Sequence, residues 1–453
     1  MTTLPSSSPQ ALTRAVATCE AALAACDEAG APAAWALAQA DLGDALAALG
    51  GRLPGATGAE KLARAAMAHA AALTVCTEAG APDDWAAIQD RMGAALAILG
   101  ERLGGAVGVH TLTKAAAAHQ AALRVYTEAD APAAWAKAQR HLGDALRGLA
   151  ERGGDAEKLM AAATAYNAAL RVYTEAGAPA DWAAIQTHLG LAHAGLGARL
   201  AGPAGAGRLD QAEAAYRAAL RVQTETETPA DWAATQNHLA TALRAQGERL
   251  GGAAGAQKLA ETAAAHEAAL RVYTEAGDPA LWAATQGNLG AALTTLGERF
   301  SGADGPETLA EAVAAYQAAL RVYTERSAPA QWALTQANLG GALRTLGERL
   351  GGAAGEAKLA EAAAAYAAAL RVRTEADMPA AWADTQNSLG IALATLGLRL
   401  GGAAGAERLA GAAAAFEAAG RVYTEDAMPE QWVGTQRNLR RVTEALASLR
   451  SEA

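Results

Sequence analysis

The segment WAATQNHLATAL at 232–243 returns as WAATQGNLGAAL at 282–293 and as WALTQANLGGAL at 332–343, each copy fifty residues after the last. All nine tryptophans belong to this series: Trp35, Trp85, Trp135, Trp182, Trp232, Trp282, Trp332, Trp382 and Trp432. The one short interval, Trp135 to Trp182, lacks three residues where ERGGDAEKL replaces a longer Gly-rich linker, so the loss is assigned to a loop. Internal repetition overrides the usual division of 453 residues into separate globular domains. The expectation is one continuous array.

After each tryptophan the recurring residues fall at offsets 0, 4, 7, 11 and 14, as in Trp382, Gln386, Leu389, Leu393 and Leu396, which is an apolar stripe at helical period. We call this the W helix. A second helix precedes each tryptophan, as at Lys358 to Glu375, with its own stripe through Ala362, Tyr366, Leu370 and Val372. Proline stands three residues before every Trp, at a first-turn position where a missing N–H costs nothing. Gly351–Gly352 and similar pairs are read as left-handed caps that end the W helices. Glycine eight residues after the Trp, from Gly43 to Gly390, costs about 1 kcal/mol inside a helix and points to close backbone approach by a neighbour. Ala240 and Arg440 break that series, and Arg437, Arg440 and Arg441 mark the last helix as a solvated end.

A lone hairpin cannot bury both stripes, whereas stacked copies can, each Trp removing about 150–250 Å² from water. Stability is then a sum over nearest neighbours. The reading is an all-α solenoid of nine antiparallel helix pairs over 9–450, with residues 1–8 as a tail without structure. The units run about 9–52, 58–103, 108–152, 156–200, 207–250, 256–300, 306–350, 356–400 and 406–450.

Composition narrows the function. Half the chain is hydrophobic (52%) but only 4% is aromatic, because alanine dominates. A net charge of −10 without a clustered basic face argues against nucleic acid. The N-terminus has no signal-peptide core and no stretch reads as a membrane span, which makes the cytoplasm the expected location. Cys19, Cys26 and Cys76 have no CxxC spacing and read as small core fillers. The Gly-rich segments GGAAGEAK (351–358) and GPAGAG (202–207) read as linkers; they lack the strand and the Lys-Ser/Thr of a phosphate loop. No catalytic motif is present, so no enzyme activity and no cofactor are assigned.

Leu389-Gly390 with Leu393, Ala362-x3-Tyr366-x2-Ala369 and Pro379 together resemble the tetratricopeptide repeat (TPR), and the resemblance covers residues 9–450. The period is fifty rather than about 34. Gln occupies the usual early Trp position, and leucine replaces the usual first-helix tyrosine. The chain is closest in kind to the long-repeat variety of bacterial scaffold and signalling proteins. The resemblance implies a right-handed superhelix whose first helices line a concave groove for peptide segments of other proteins.

Against that uniform frame, offsets 5, 6, 9 and 12 of the W helix vary. They carry Arg140, His141, Asp144 and Arg147 in the third repeat, His188 in the fourth, and Asn237, His238, Thr241 and Arg244 in the fifth. Asn288, Asn338, Arg344 and Asn387 continue the series. These thirteen are the candidate peptide-binding residues, forming a polar and partly cationic stripe. His141, His188 and His238 share offset 6, but no carboxylate recurs beside them in the pattern, so no metal is assigned. His69, His119 and His266 stand where other copies have Tyr, and with His193 they read as core residues. Gln at offset 4 and Glu seven before the Trp (Glu28 through Glu425) read as a ladder satisfying loop backbone groups. Arg124, Arg171, Arg221, Arg271, Arg321, Arg371 and Arg421 each stand four before such a Glu and read as i,i+4 pairs. The function expected is a scaffold that binds an extended partner segment. The alternatives are a self-assembling, homo-oligomeric structural protein, or a sensor or adaptor subunit of a larger signalling system.

Overall fold

A computed structural model describes residues 8–451 apart from Asp27. The expected tail at 1–8 lies outside the described residues except for Ser8, whose hydroxyl accepts from the Ala11 N–H and caps the first helix. Eighteen helices and no strand occur among the described residues. The W helices are α2 (Pro32–Arg52), α4 (Pro82–Arg102), α6 (Pro132–Gly153), α8 (Pro179–Arg199), α10 (Pro229–Arg249), α12 (Pro279–Arg299), α14 (Pro329–Arg349), α16 (Pro379–Leu400) and α18 (Pro429–Ser451). Between them lie α1 (Pro9–Ala24), α3 (Gly55–Ala72), α5 (Gly105–Ala122), α7 (Ala156–Ala169), α9 (Gly202–Ala219), α11 (Gly252–Leu270), α13 (Asp304–Val322), α15 (Gly352–Ala369) and α17 (Gly402–Ala419). None of these helices is long and apolar enough to cross a membrane.

The helices fall into two compact units, 1–224 and 225–453, so the boundary lies inside the expected fifth repeat. Within each unit a W helix packs more extensively against the helix that follows it than against the one that precedes it. The physical reason is connection length: two residues join α2 to α3, whereas seven separate α1 from α2. The first unit is therefore α1 followed by four tight hairpins, and the second is four tight hairpins followed by α18.

Every W helix starts at its proline, and the Trp N–H closes the first turn on the N-cap carbonyl, as from Trp332 to Ala328 O at 2.8 Å. The second helices differ from expectation at both ends. α15 begins at Gly352, so the segment read as a linker is its first turns, as GPAGAG is for α9. α15 stops at Ala369 rather than Glu375: the chain tightens there into i→i−3 turns, Arg371 N donating to Ala368 O at 3.1 Å and Val372 N to Ala369 O at 3.2 Å. Thr374 then forms a side-chain-bonded turn, its hydroxyl engaging the N–H and carboxylate of Asp377. The left-handed glycine also sits elsewhere: Gly352 (φ 57°) opens α15, while the W helix before it ends on Leu350 in extended backbone. A glycine of positive φ ends a W helix at two places, Gly401 (φ 61°) after α16 and, at the short interval, Gly154 (φ 70°) after α6. There Asp155 caps a shortened α7 by accepting from Glu157 N and Lys158 N, so the three missing residues come from a helix start and leave the faces in register.

Seven tryptophans, from Trp85 to Trp382, are buried, while Trp35 and Trp432 at the ends are half-buried. The glycine eight residues after the Trp meets a ring rather than a backbone: a Cβ at Gly190 would lie 2.5 Å from Tyr216 Cε1, and one at Gly43 2.6 Å from His69 Cε1. Backbone closeness falls at the later glycines instead, where a Cβ at Gly347 would stand 2.9 Å from Gly355 O. His69, His119, His193 and His266 are buried, as core residues would be. All three cysteines are free and half-buried. α18 is largely exposed, consistent with its arginines.

Candidate functional site

Successive W helices touch one another within each unit, α2 with α4, α4 with α6 and α6 with α8 in the first, whereas successive second helices do not. The closer row lies on the inside of a curve, so the W helices form the inner face of each unit. Offsets 6, 9 and 12 project from that face. In the first unit they bring His141, Asp144, Arg147 and His188 together with His119 around a cavity of about 330 Å³, walled by Ala94, Ala97, Ile98 and Glu101.

Two carboxylates, Asp90 and Asp144, organise the polar side of this cavity, although no carboxylate recurs beside the histidines from repeat to repeat. Asp90 Oδ1 accepts from His119 Nδ1 at 2.9 Å and from His141 Nδ1 at 3.0 Å, the two rings lying 5.2 Å apart. Lys137 Nζ lies 3.8 Å from Asp90 Oδ2. Burial pushes the Asp90 carboxyl up, but the imidazole hydrogen bonds outweigh it and hold the group well below the usual carboxylate range. Burial lowers His119, which donates as a neutral ring. One repeat on, Asp144 Oδ1 accepts from the Tyr166 hydroxyl at 2.8 Å and lies 2.8 Å from His188 Nδ1. Burial raises Asp144 too, and contact with His188 and Tyr166 brings it below its ordinary value.

The stripe is less cationic than its sequence implies, because each arginine has an acidic neighbour. Arg147 pairs with Glu151, Arg244 with Glu248 at 2.5 Å, Arg344 with Glu348 at 2.6 Å, and Arg140 with Asp181 at 3.4 Å. Offset 5 faces the next W helix rather than open space. Asn237 Nδ2 donates to Thr285 Oγ1 at 2.8 Å while its Oδ1 accepts from His266 Nδ1 at 2.9 Å, and Asn387 Oδ1 accepts from Thr435 Oγ1 at 3.3 Å. Thr241 bonds back to Asn237 O at 3.0 Å, His238 is half-buried, and Asn288 and Asn338 are exposed. The first unit thus gathers four of the candidates at one cavity, and the second unit spreads its own along the W helices.

The recurring Arg and Glu do not form i,i+4 pairs. Most of these arginines stand past the end of their helix and reach back one repeat: Arg124 to Glu78, Arg171 to Glu128 and Arg221 to Glu175 in the first unit, and Arg271 to Glu225 through Arg421 to Glu375 in the second. Each guanidinium also lies 4.9 to 5.2 Å from the centre of the preceding repeat's Trp ring. The ladder expected of Glu is real, but its partner is arginine rather than loop backbone. A second series, at offset 17 from the Trp, escapes a reading by helix stripe. Arg399 donates to Gly347 O at 2.7 Å, Glu348 O at 2.8 Å and Leu350 O at 3.0 Å, covering the last carbonyls of α14; Arg102 does the same for α2.

No protein-family model matches the chain, and no curated protein matches it. Among solved structures it is similar to the C-terminal part of a TPR repeat-containing protein from Cytophaga hutchinsonii, at 12% identity over 69% of this chain and 90% of that one, with a TM-score of 0.41. It is also similar to a Rap protein complexed with Competence and Sporulation Factor (12% identity, 86% and 95% covered, TM-score 0.38). A third is the apo quorum sensor NprR from B. thuringiensis (12%, 79% and 88%, TM-score 0.37).

Proposed function

We propose that the chain is an interaction scaffold that holds an extended segment of a protein partner against the W-helix face of its first unit. The observation that carries this reading is the cavity itself: Arg147, His141 and His188, from two successive repeats, converge beside the apolar wall of Ala94, Ala97 and Ile98. A pocket with an apolar wall and a few convergent polar groups fits a side chain better than it fits a smooth helix contact. Arg147 is only 16% exposed, and among its partners, which include Tyr166 and Asp144, the one exposed carboxylate is Glu151 on its own helix. An acidic side chain of a partner can replace Glu151 there without leaving a buried charge unpaired. Rigid, stacked helices supply the preorganisation that lowers the cost of binding.

Selection of a displayed random-peptide library on the full chain tests this. Peptides with a recurring acidic residue should be enriched, and synthetic copies should lose at least tenfold in affinity for Arg147→Glu while Arg344→Glu binds normally. Enriched peptides that bind Arg147→Glu unchanged would remove this face from consideration.

A further inference from the structure

Asp90 is the only acidic residue at offset 5 in the nine repeats, where the other copies carry Ala, Arg, Thr, Asn or Gly. A buried carboxylate in an alanine-rich helix face costs stability unless something compensates for it. Its surroundings form a ligand set. The nearest donor atoms of Asp90, His119 and His141 all lie within 4.8 Å of one another, contributed by three helices, α4, α5 and α6. His119 is fully buried, and its second ring nitrogen, Nε2, has no hydrogen-bond partner.

We propose that Asp90, His119 and His141 form a binding site for one first-row divalent cation, such as zinc, with its open position facing the adjoining cavity. Two imidazole nitrogens and one carboxylate oxygen suit such ions, and a fourth position filled by water completes a tetrahedron. Ligand bonds of 2.0–2.1 Å separate tetrahedral donors by about 3.3 Å. Two of the three spacings, 2.9 and 3.0 Å around Asp90 Oδ1, need to open by a few tenths of an ångström, and the third, between the two imidazoles, lies within 4.8 Å and is set by turning the rings onto the ion. The cavity lined by His119 and His141 provides both the entry path and the room for water.

Two cations border the site. Lys137 contacts only Oδ2 and its side chain is half exposed, so it can turn to solvent. Arg140 Nη2 lies 3.4 Å from His141 Nε2. Ligation through Nδ1 puts the remaining ring proton on Nε2, which turns Arg140 toward Asp181, already 3.4 Å from its Nη1. Arg140 therefore opposes the metal, and its removal should favour it.

The test uses the full, tag-free chain stripped with chelator and titrated with zinc chloride by calorimetry, then with cobalt(II) followed by visible absorption. One equivalent should bind, with the absorption of four-coordinate cobalt. Affinity should fall at least tenfold in Asp90→Asn and in His141→Ala, stay unchanged in His188→Ala one repeat on, and rise several-fold in Arg140→Gln, which keeps every ligand. Binding that is absent in the parent chain, or equal in parent, Asp90→Asn and His141→Ala, overturns the site. Because His141 is half-buried, circular dichroism of His141→Ala separates loss of a ligand from loss of fold.

Discussion

At the residue scale, one aromatic position shows how a core contact becomes a response to pH. The ring that lies on the Gly eight residues after the Trp is Tyr in four copies, Phe in one and His in two, of which His69 has no hydrogen bond at either ring nitrogen. Burial is the largest cause, and the nearby charge of Arg91 adds to it, in lowering His69 to about 4. Asp44 does not rescue the protonated ring: it stands 3.5 Å away and is already paired to Arg91 at 3.0 Å. The unfolded chain takes up a proton near pH 6.5 and the folded chain near 4, so the folded state binds fewer protons between those values. The stability is whole above pH 6.5 and declines as the pH falls through that window. His69→Phe, borrowing the ring used at Phe416, should therefore reduce the loss of stability between pH 7 and pH 5 by about 2 kcal/mol. Urea unfolding of both chains at the two pH values measures it. Equal losses would mean that His69 is not held neutral by burial.

At the element scale, the two arginine series look alike in sequence and differ in what they hold. The arginines that reach back to glutamate and Trp are more than half exposed, and exposed ion pairs contribute little to stability. Those at offset 17 satisfy carbonyls at a helix end, where hydrogen bonds from a charged donor are stronger. Arg399 also crosses Gly355, where a Cβ would stand 2.5 Å from its Nη1, so a glycine in one helix is kept open for an arginine of the next W helix. Arg399→Ala is expected to cost about 1–3 kcal/mol, and Arg371→Ala distinctly less, by thermal unfolding of the two variants side by side. The reverse order would assign the stacking of repeats to the exposed ladder. Helix number and the proline starts were legible in the sequence because each rests on a local rule or on spacing, whereas the inner placement of the W helices was expected only from the resemblance to the tetratricopeptide repeat. The partners of Arg399 and Asp90 were not legible, since they lie 49 to 52 and 29 to 51 residues away and depend on how neighbouring repeats are set against each other. Repetition did leave a trace of the first: Arg follows the Trp by seventeen residues in eight of nine copies.

At the scale of the whole molecule, neither unit contains a nucleus separate from its repeats. Each helix touches only helices one or two places along the chain, so the energy of either unit is a chain of short-range terms. The equivalent contacts recur with interchangeable residues: Gly290 on Tyr316, Gly340 on Tyr366, Gly390 on Phe416. Removing residues 300–349 joins Arg299 to Leu350 and sets α12 directly before α15, with Gly290 opposite Tyr366 in place of Tyr316 and Glu275 within reach of Arg371 in place of Arg321. The shortened chain should fold with the same helicity per residue. Its heat-capacity change on unfolding should fall by about 0.6–0.75 kcal/mol/K, in proportion to the fifty residues lost. Circular dichroism and calorimetry read both quantities. A nearest-neighbour array tolerates this excision because the new junction repeats one that the chain already makes. Collapse of helicity across the remaining second unit would instead require a contact that spans more than two helices, which the packing of neither unit contains.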